Sequence, residues 1–262
     1  MTQILLIGGS DSSGGAGIGR DLRTLSDLDR NLIGVAVITA VTAQTDAHVQ
    51  AVHLVPGNVV RNQITTALAS NTIRAIKIGM LGTRDIVEAV ARSLPSRTEI
   101  PIVLDPVLAA SSGRALLDEE GRRALIEQLL PRVTLVTPNI PETAALLGEP
   151  LLEDERDRRL EFGRRLLALG PEAVLVKGGH ADGEAAVDLL ITAASGVITL
   201  SEPRMPGTLR GTGCGLASAI ASGLAQGLPL VDACREAKRY VTSRWLPIPA
   251  DPVRGFHART AR

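Results

Sequence analysis

The sequence predicts an α/β protein with a mainly parallel central sheet and helices on both of its faces. Three observations predict it. Short apolar runs recur along the chain, and their lack of polar alternation marks strands buried on both sides. Each run ends in a polar or glycine-marked loop that opens into a helical stretch. Apolar residues make up 45% of the 262, yet only 2% are aromatic, so the core is one of Ala, Val, Leu and Ile. No linker-like stretch or shift of composition divides the chain. Residues 1–246 are expected to form a single domain and residues 247–262 a poorly ordered tail.

Each element has its own local reason. Residues 4–7 read as a buried strand that stops at Gly8-Gly9-Ser10-Asp11. The loop continues to Gly17 and opens into a helix near residues 21–25. A second strand covers 33–41, followed by Thr42-Ala43-Gln44-Thr45-Asp46, and a short strand spans 49–55. Pro56 starts a helix running to about residue 69, where a missing N–H does no harm. Strand 74–78 ends in Gly79-Met80-Leu81-Gly82, and a helix covers 85–94. Strand 102–104 ends at Asp105-Pro106, with a loop over 107–113 and a helix over 118–130. Strand 133–136 ends in Thr137-Pro138-Asn139, with a helix starting at Ile140-Pro141-Glu142. The Arg/Glu/Asp-rich stretch 153–169 is a solvated helix. Strand 173–176 ends in Lys177-Gly178-Gly179-His180, and 187–191 with 197–200 form a hairpin at a sheet edge. Helices from Gly213 and over 230–246 complete the order.

Composition excludes several function classes. The 28 basic and 28 acidic residues balance and are dispersed, so the chain lacks a basic surface for nucleic acid. Aromatic side chains for base stacking are missing too. No apolar run is long enough to span a membrane, and the first residues carry no signal-peptide pattern. Cys214 and Cys234 fit no zinc or CxxC spacing, and the four histidines form no cluster. Two reduced thiols fit a cytoplasmic protein.

The chemistry gathers at the strand ends. In a parallel sheet these converge on one edge, and they carry Gly9, Asp11, Gln44, Met80, Asp105, Asn139, Glu142 and Lys177. Alone, Asp11, Asp21 and Asp105 read as caps, and Glu142 as a helix-start residue. The stretch Gly211-Thr212-Gly213-Cys214-Gly215 can close onto the same edge. Its glycines permit a tight turn, and the following helix start offers free N–H groups to an anion. A thiol there is expected to have its thiolate stabilised. An anion hole, the lysine Lys177 and carboxylates able to hold Mg²⁺ through water, Asp105 and Glu142, suit phosphoryl transfer. Cys214 then fits as the base for a substrate hydroxyl. Neither GxxxxGK[ST] nor GxGxxG occurs.

The segments GGSDSSGGAGI, TAVTAQT, KIGMLGT, DPVLAASSG, TPNIPE, VLVKGGH and GTGCGLASAIA stand in this order. Together they resemble the hydroxymethylpyrimidine and phosphomethylpyrimidine kinases of thiamine biosynthesis, in the ribokinase-like superfamily, over residues 4–246. The resemblance implies a three-layer sandwich, ATP, Mg²⁺ and a homodimer. It implies phosphorylation of 4-amino-5-hydroxymethyl-2-methylpyrimidine and then of its monophosphate. It places the pyrimidine against Gly9, Asp21, Gln44, Met80 and Val107. Asn139, Glu142, Lys177 and Thr212 fall at the nucleotide, with Asp105 and Glu142 at the metal. Cys214 stands where most ribokinase relatives carry a catalytic aspartate. Three stretches depart from the family pattern. HGTGCT is replaced by Arg210-Gly211-Thr212-Gly213-Cys214-Gly215, AKSG by Ala110-Ser111-Ser112-Gly113, and AQNT by Ala43-Gln44-Thr45-Asp46. Pyridoxal or pyridoxine kinase is the alternative on this scaffold, and a silent pyrimidine- or nucleotide-binding protein a third. Some pyridoxal kinases carry a loop cysteine near residue 110, where this chain has Ala109-Ala110.

Overall fold

The computed structural model describes residues 1–45, 47–110, 112–150, 156–178, 184–207 and 209–244. The first half contains β1 (Thr2–Asp11), α1 (Gly17–Leu28), β2 (Leu32–Gln44), β3 (Val49–Leu54), α2 (Gly57–Ser70), β4 (Ile73–Ile78) and α3 (Arg84–Ser93). The second contains β5 (Ile102–Leu104), α4 (Glu119–Ala124), β6 (Leu135–Val136), α5 (Ile140–Leu147), α6 (Arg156–Leu167) and β7 (Ala173–Val176). It ends with β8 (Ala185–Thr192), β9 (Gly196–Pro203), α7 (Thr212–Ala225) and α8 (Leu230–Ser243).

The strands form one sheet in the order β3-β2-β1-β4-β5-β6-β7-β8-β9. From β2 to β7 every neighbouring pair is parallel, whereas β3, β8 and β9 pair antiparallel with their neighbours. Successive strand residues face opposite helix layers, because side chains alternate along a strand. Ile4 and Leu6 join the cluster beneath α1, α7 and α8, while Leu5 and Ile7 join the one beneath α2 to α6. The same split separates Val103 from Ile102 and Leu104, and Leu175 from Val174 and Val176. This two-sided burial is why the runs lack polar alternation, and the layers form the expected sandwich.

Some boundaries differ from expectation. β1 and β2 extend well past their apolar centres, to Asp11 and Gln44, so Gln44 ends a strand rather than sitting in a loop. The helix expected over 118–130 is α-helical only to Ala124. A π-helical turn, Leu125–Leu129, and a 3₁₀ turn, Leu130–Arg132, follow it. Pro131 lacks the N–H and clashes with the preceding turn, so the α-helix cannot continue. β6 is confined to Leu135–Val136, since Thr134 Oγ1 accepts the Ile102 N–H at 3.0 Å beside it. Above β3, the Gln63 side chain covers β2 by bonding both backbone groups of Ile38. Asp46, Ser111, Gly179, His180, the start of the 153–169 helix, the end of the 230–246 helix and the 247–262 tail lie outside the described residues. Among the described residues no helix is long and apolar enough to cross a membrane.

Candidate active site

The chain order places β2 on one side of β1 and β4 on the other. The connections at the strand ends therefore diverge there and leave a crevice, the place where open α/β sheets bind ligands. Gly9 lies in that crevice. The β1–β2 register shifts between Gly8 and Gly9, so Thr39 is skipped, and its hydroxyl donates to Met80 O at 2.6 Å. Met80 packs onto Gly9: a Cβ at Gly9 would meet its Sδ at 3.0 Å. The β1–α1 loop folds around Asp11, which accepts from Ser13 N–H, Ser13 Oγ and Ala16 N–H. Gly17 has φ 58° and sits against Gly9 O, where a Cβ would collide. Gly211, at φ 70°, sits in the same way against Gly15 O and caps α7.

Gln44 is tied to the same loop. Its N–H donates to Ser12 Oγ at 2.8 Å, and that hydroxyl donates back to Gln44 O at 2.9 Å. The Thr42 hydroxyl, shared with Ser10 O, reaches Gln44 Oε1 at 3.3 Å. This leaves the Nε2 donor with no partner among the described residues. Val107 is half-buried, and its N–H donates to Asp105 O. Asp21 differs from the other acceptor-side candidates. It has no exposed surface, receives Lys77 Nζ at 2.8 Å on Oδ2 and accepts from Ser218 Oγ at 2.9 Å on Oδ1. In this arrangement it supports the site from beneath.

The anion-facing end is built from α7 and the ends of β5 to β7. The first α7 bond runs from Gly215 N–H to Gly211 O. The N–H groups of Thr212, Gly213 and Cys214 thus lack partners within the helix. A Cβ at Gly213 would lie 3.2 Å from Lys177 Nζ and 3.4 Å from Asp105 Oδ2. Lys177 Nζ donates to Asp105 Oδ1 at 2.9 Å and lies 3.8 Å from Glu142 Oε2. Asn139 and Glu142 cap α5 reciprocally: Glu142 N–H donates to Asn139 Oδ1, and Asn139 N–H to Glu142 Oε2. The capping role weighed for Glu142 is therefore real, and it holds the carboxylate in place beside Lys177. Burial pushes the Glu142 carboxyl up to about 7, opposed by Lys177 and reinforced by Asp105. Burial works against the Lys177 ammonium, but Asp105 and Glu142 outweigh it and hold it above the usual lysine range.

Cys214 departs from expectation. Burial pushes its thiol up to about 11. Lys77 and the neighbouring Gly17 N–H act against that shift, while Asp21 and Asp105 add to it. Burial of the sulfur, with two carboxylates adding to it, thus outweighs the favourable helix start, and the thiol is protonated at neutral pH.

Lys77 is the functional-site neighbour that sequence reasoning missed. It lies in β4, 1% exposed, paired with Asp21 across the layer boundary. Burial works against its charge, but Asp21 holds it above the usual lysine range; burial likewise raises the Asp21 carboxyl, opposed by Lys77. A lysine inside a two-sided apolar strand, Ala75-Ile76-Lys77-Ile78, was the available signal.

Comparison with known proteins places the chain in a family. The family model described as phosphomethylpyrimidine kinase matches residues 11–246. A hydroxymethylpyrimidine/phosphomethylpyrimidine kinase of Rhizobium meliloti is 42% identical over 243 residues, covering 92% of this chain and 90% of its own. The crystal structure of phosphomethylpyrimidine kinase from Clostridium difficile superposes with a TM-score of 0.79 at 37% identity, over 93% of this chain and 99% of that one. An ADP complex of Bacillus subtilis pyridoxal kinase gives 0.82 at 30% identity, over 93% and 91%. The fold is thus ribokinase-like, and the chain is a kinase by family. By the family match along its length and by the site that its strand ends assemble, the chain belongs to the phosphomethylpyrimidine kinase family.

Proposed function

We propose that the protein phosphorylates 4-amino-5-hydroxymethyl-2-methylpyrimidine from ATP, and then its monophosphate, within thiamine biosynthesis. One observation carries the reading. The β1–α1 loop, which packs Gly15 O against Gly211 ahead of Cys214, follows Gly9, on which Met80 packs, and holds Gln44, while Gly213 lies beside the Lys177–Asp105–Glu142 cluster.

An aminopyrimidine suits the acceptor side. Its ring nitrogens are acceptors, and Gln44 Nε2 is a fixed donor; Met80 and Val107 give apolar cover. Asp21 acts through Lys77 and Ser218 rather than on the ring. At the other end, the Thr212, Gly213 and Cys214 N–H groups and the Lys177 ammonium neutralise phosphate charge. Asn139 keeps Glu142 beside the phosphates through the α5 cap. In the transfer, the acceptor hydroxyl oxygen bonds to the γ-phosphorus and the bond to the bridging β–γ oxygen breaks. ADP leaves, and the hydroxyl proton passes to the Cys214 thiolate.

The residues fit a Mg²⁺ ion. Asp105 Oδ2 and Glu142 Oε1 have no protein partner among the described residues, and both carboxylates are largely buried. No group of three or more His, Cys, Asp or Glu among the described residues forms a metal cage. Mg²⁺ is commonly held by one or two carboxylates with phosphates and water, so this donor set is sufficient. When bound, it would supply positive charge to the phosphate oxygens.

The runner-up, pyridoxal phosphorylation, has structural neighbours in its favour, but Ala109 and Ala110 offer no thiol to an aldehyde. Residues 1–246 acting as one domain, a homodimer and a cytoplasmic location belong to the same reading. Mass-resolved products test it. With ATP and the pyrimidine, the monophosphate and then the diphosphate should accumulate; ATP turnover with neither product would reject it.

A further inference from the structure

Arg210 stands one residue before Gly211, and its side chain crosses to two segments remote in sequence. Nη1 donates to Ser13 Oγ at 3.0 Å and to Thr45 O at 3.1 Å, and Nη2 to Asp11 Oδ2 at 3.3 Å. The two ion-paired groups are largely buried, the arginine side chain 22% exposed and the Asp11 side chain 5%. Gly15 leaves room for the guanidinium, since a Cβ there would come within 2.9 Å of Nη1. The side chain thus joins three segments: the loop leading into α7, the β1–α1 loop and the residue after β2.

Each of these segments carries one part of the acceptor site. The α7 loop leads to Cys214, four residues on. The β1–α1 loop packs Gly15 O against Gly211 at the start of α7 and supplies Ser12 to the Gln44 backbone. Thr45 directly follows Gln44. These loops contain Gly14, Gly15, Gly17, Gly207 and Gly211, so their unrestrained backbone has unusual freedom. A planar guanidinium with several fixed donors can restrain three segments at once, which a single-point ammonium cannot.

We propose that Arg210 is a positioning residue for the acceptor, clasping the loop before α7 to the Asp11 loop and the end of β2. The clasp fixes Gln44 relative to Cys214 and so sets how the hydroxyl meets the phosphoryl group. It rests on the acceptor-site reading above. The nucleotide groups Lys177, Asn139 and Glu142 bond to one another and not to Arg210, so the clasp acts on one substrate only.

The test compares Arg210→Ala and Arg210→Lys with wild type in steady-state kinetics. Each substrate is varied at saturation of the other. Wild-type turnover decides the acceptor reading by itself, and the variants are compared with whichever acceptor wild type phosphorylates. A small misplacement of reacting groups is expected to raise the acceptor KM of Arg210→Ala by about tenfold or more, with the ATP KM within about twofold. Arg210→Lys falls between the two, and hydrolysis of ATP without acceptor rises in both. Should Arg210→Ala fail to fold, the same split in Arg210→Lys decides. Unchanged kinetics would make Arg210 an ordinary surface pair. Equal rises in both KM values with a lowered Tm would make it a general structural residue. Either result overturns the proposal.

Discussion

In the proposed mechanism, Cys214 is the residue on which the chemistry turns. Its replacement by Ala removes a positioned base but keeps the backbone N–H groups, so kcat should fall about 10²–10⁴-fold. ATP KM and Tm should stay near wild type; a wild-type kcat, with phosphoryl transfer rate-limiting, would make the thiol a packing group. The acidity of the site adds a pH prediction. The base must be a thiolate, and the thiol is pushed up to about 11. The thiolate fraction therefore grows about tenfold per pH unit between neutrality and that value. kcat should rise with pH in wild type and stay flat in Cys214→Ala, and matching profiles would contradict the assignment. Lys177→Met keeps the aliphatic stem and removes the charge beside Asp105 and Glu142, so ATP binding measured by calorimetry should weaken about 10–100-fold. That weakening corresponds to about 1.4–2.8 kcal/mol, the range of a hydrogen bond to a charged group. Most of these residues were legible because they punctuate strand ends with polar groups. The sign of the Cys214 shift was not, because it depends first on burial of the sulfur and then on Asp21 and Asp105, all brought about only by folding.

At the scale of elements, α7 shows how a glycine-rich start serves a site. Gly213→Ala should strengthen the helix slightly, since glycine in a helix costs about 0.5–1 kcal/mol relative to alanine. Its new Cβ would crowd Lys177 Nζ at 3.2 Å and Asp105 Oδ2 at 3.4 Å. An unchanged or raised Tm with an ATP KM raised about tenfold is therefore expected. A lowered Tm with an unaltered ATP KM would place the glycine in packing instead. Element types were readable where periodicity was clear, as in α3 and the β8–β9 hairpin. The α4 region was harder, because Pro131 converts the end of a good helical pattern into π and 3₁₀ turns. β1 was read short because its last residues, Gly8 to Asp11, look like a loop yet pair with β2 up to Asp11↔Thr42.

The whole molecule is held together across its layers by groups that the sequence hid. Lys77 of β4 bonds Asp21 of α1, and Asp21 accepts from Ser218 of α7. Removing one partner of a buried pair leaves an uncompensated charge, so Lys77→Met should lose about 3–5 kcal/mol in urea unfolding. A loss below about 1 kcal/mol, the range of an exposed pair, would contradict the buried-pair assignment. The mainly parallel sheet was legible from runs buried on both faces. The position of β4 beside β1 was not, since no local pattern encodes which strands become neighbours. In the proposed reading, that placement puts the strand ends carrying Gln44 and Lys177 and the α7 start carrying Cys214 on one edge of the sheet. The most direct test of its purpose is kcat/KM for hydroxymethylpyrimidine against pyridoxal, with ATP saturating and ADP release recorded. The site predicts a clear preference for the pyrimidine, about tenfold or more, the least that one well-placed hydrogen bond supplies. Equal or better use of pyridoxal would contradict it.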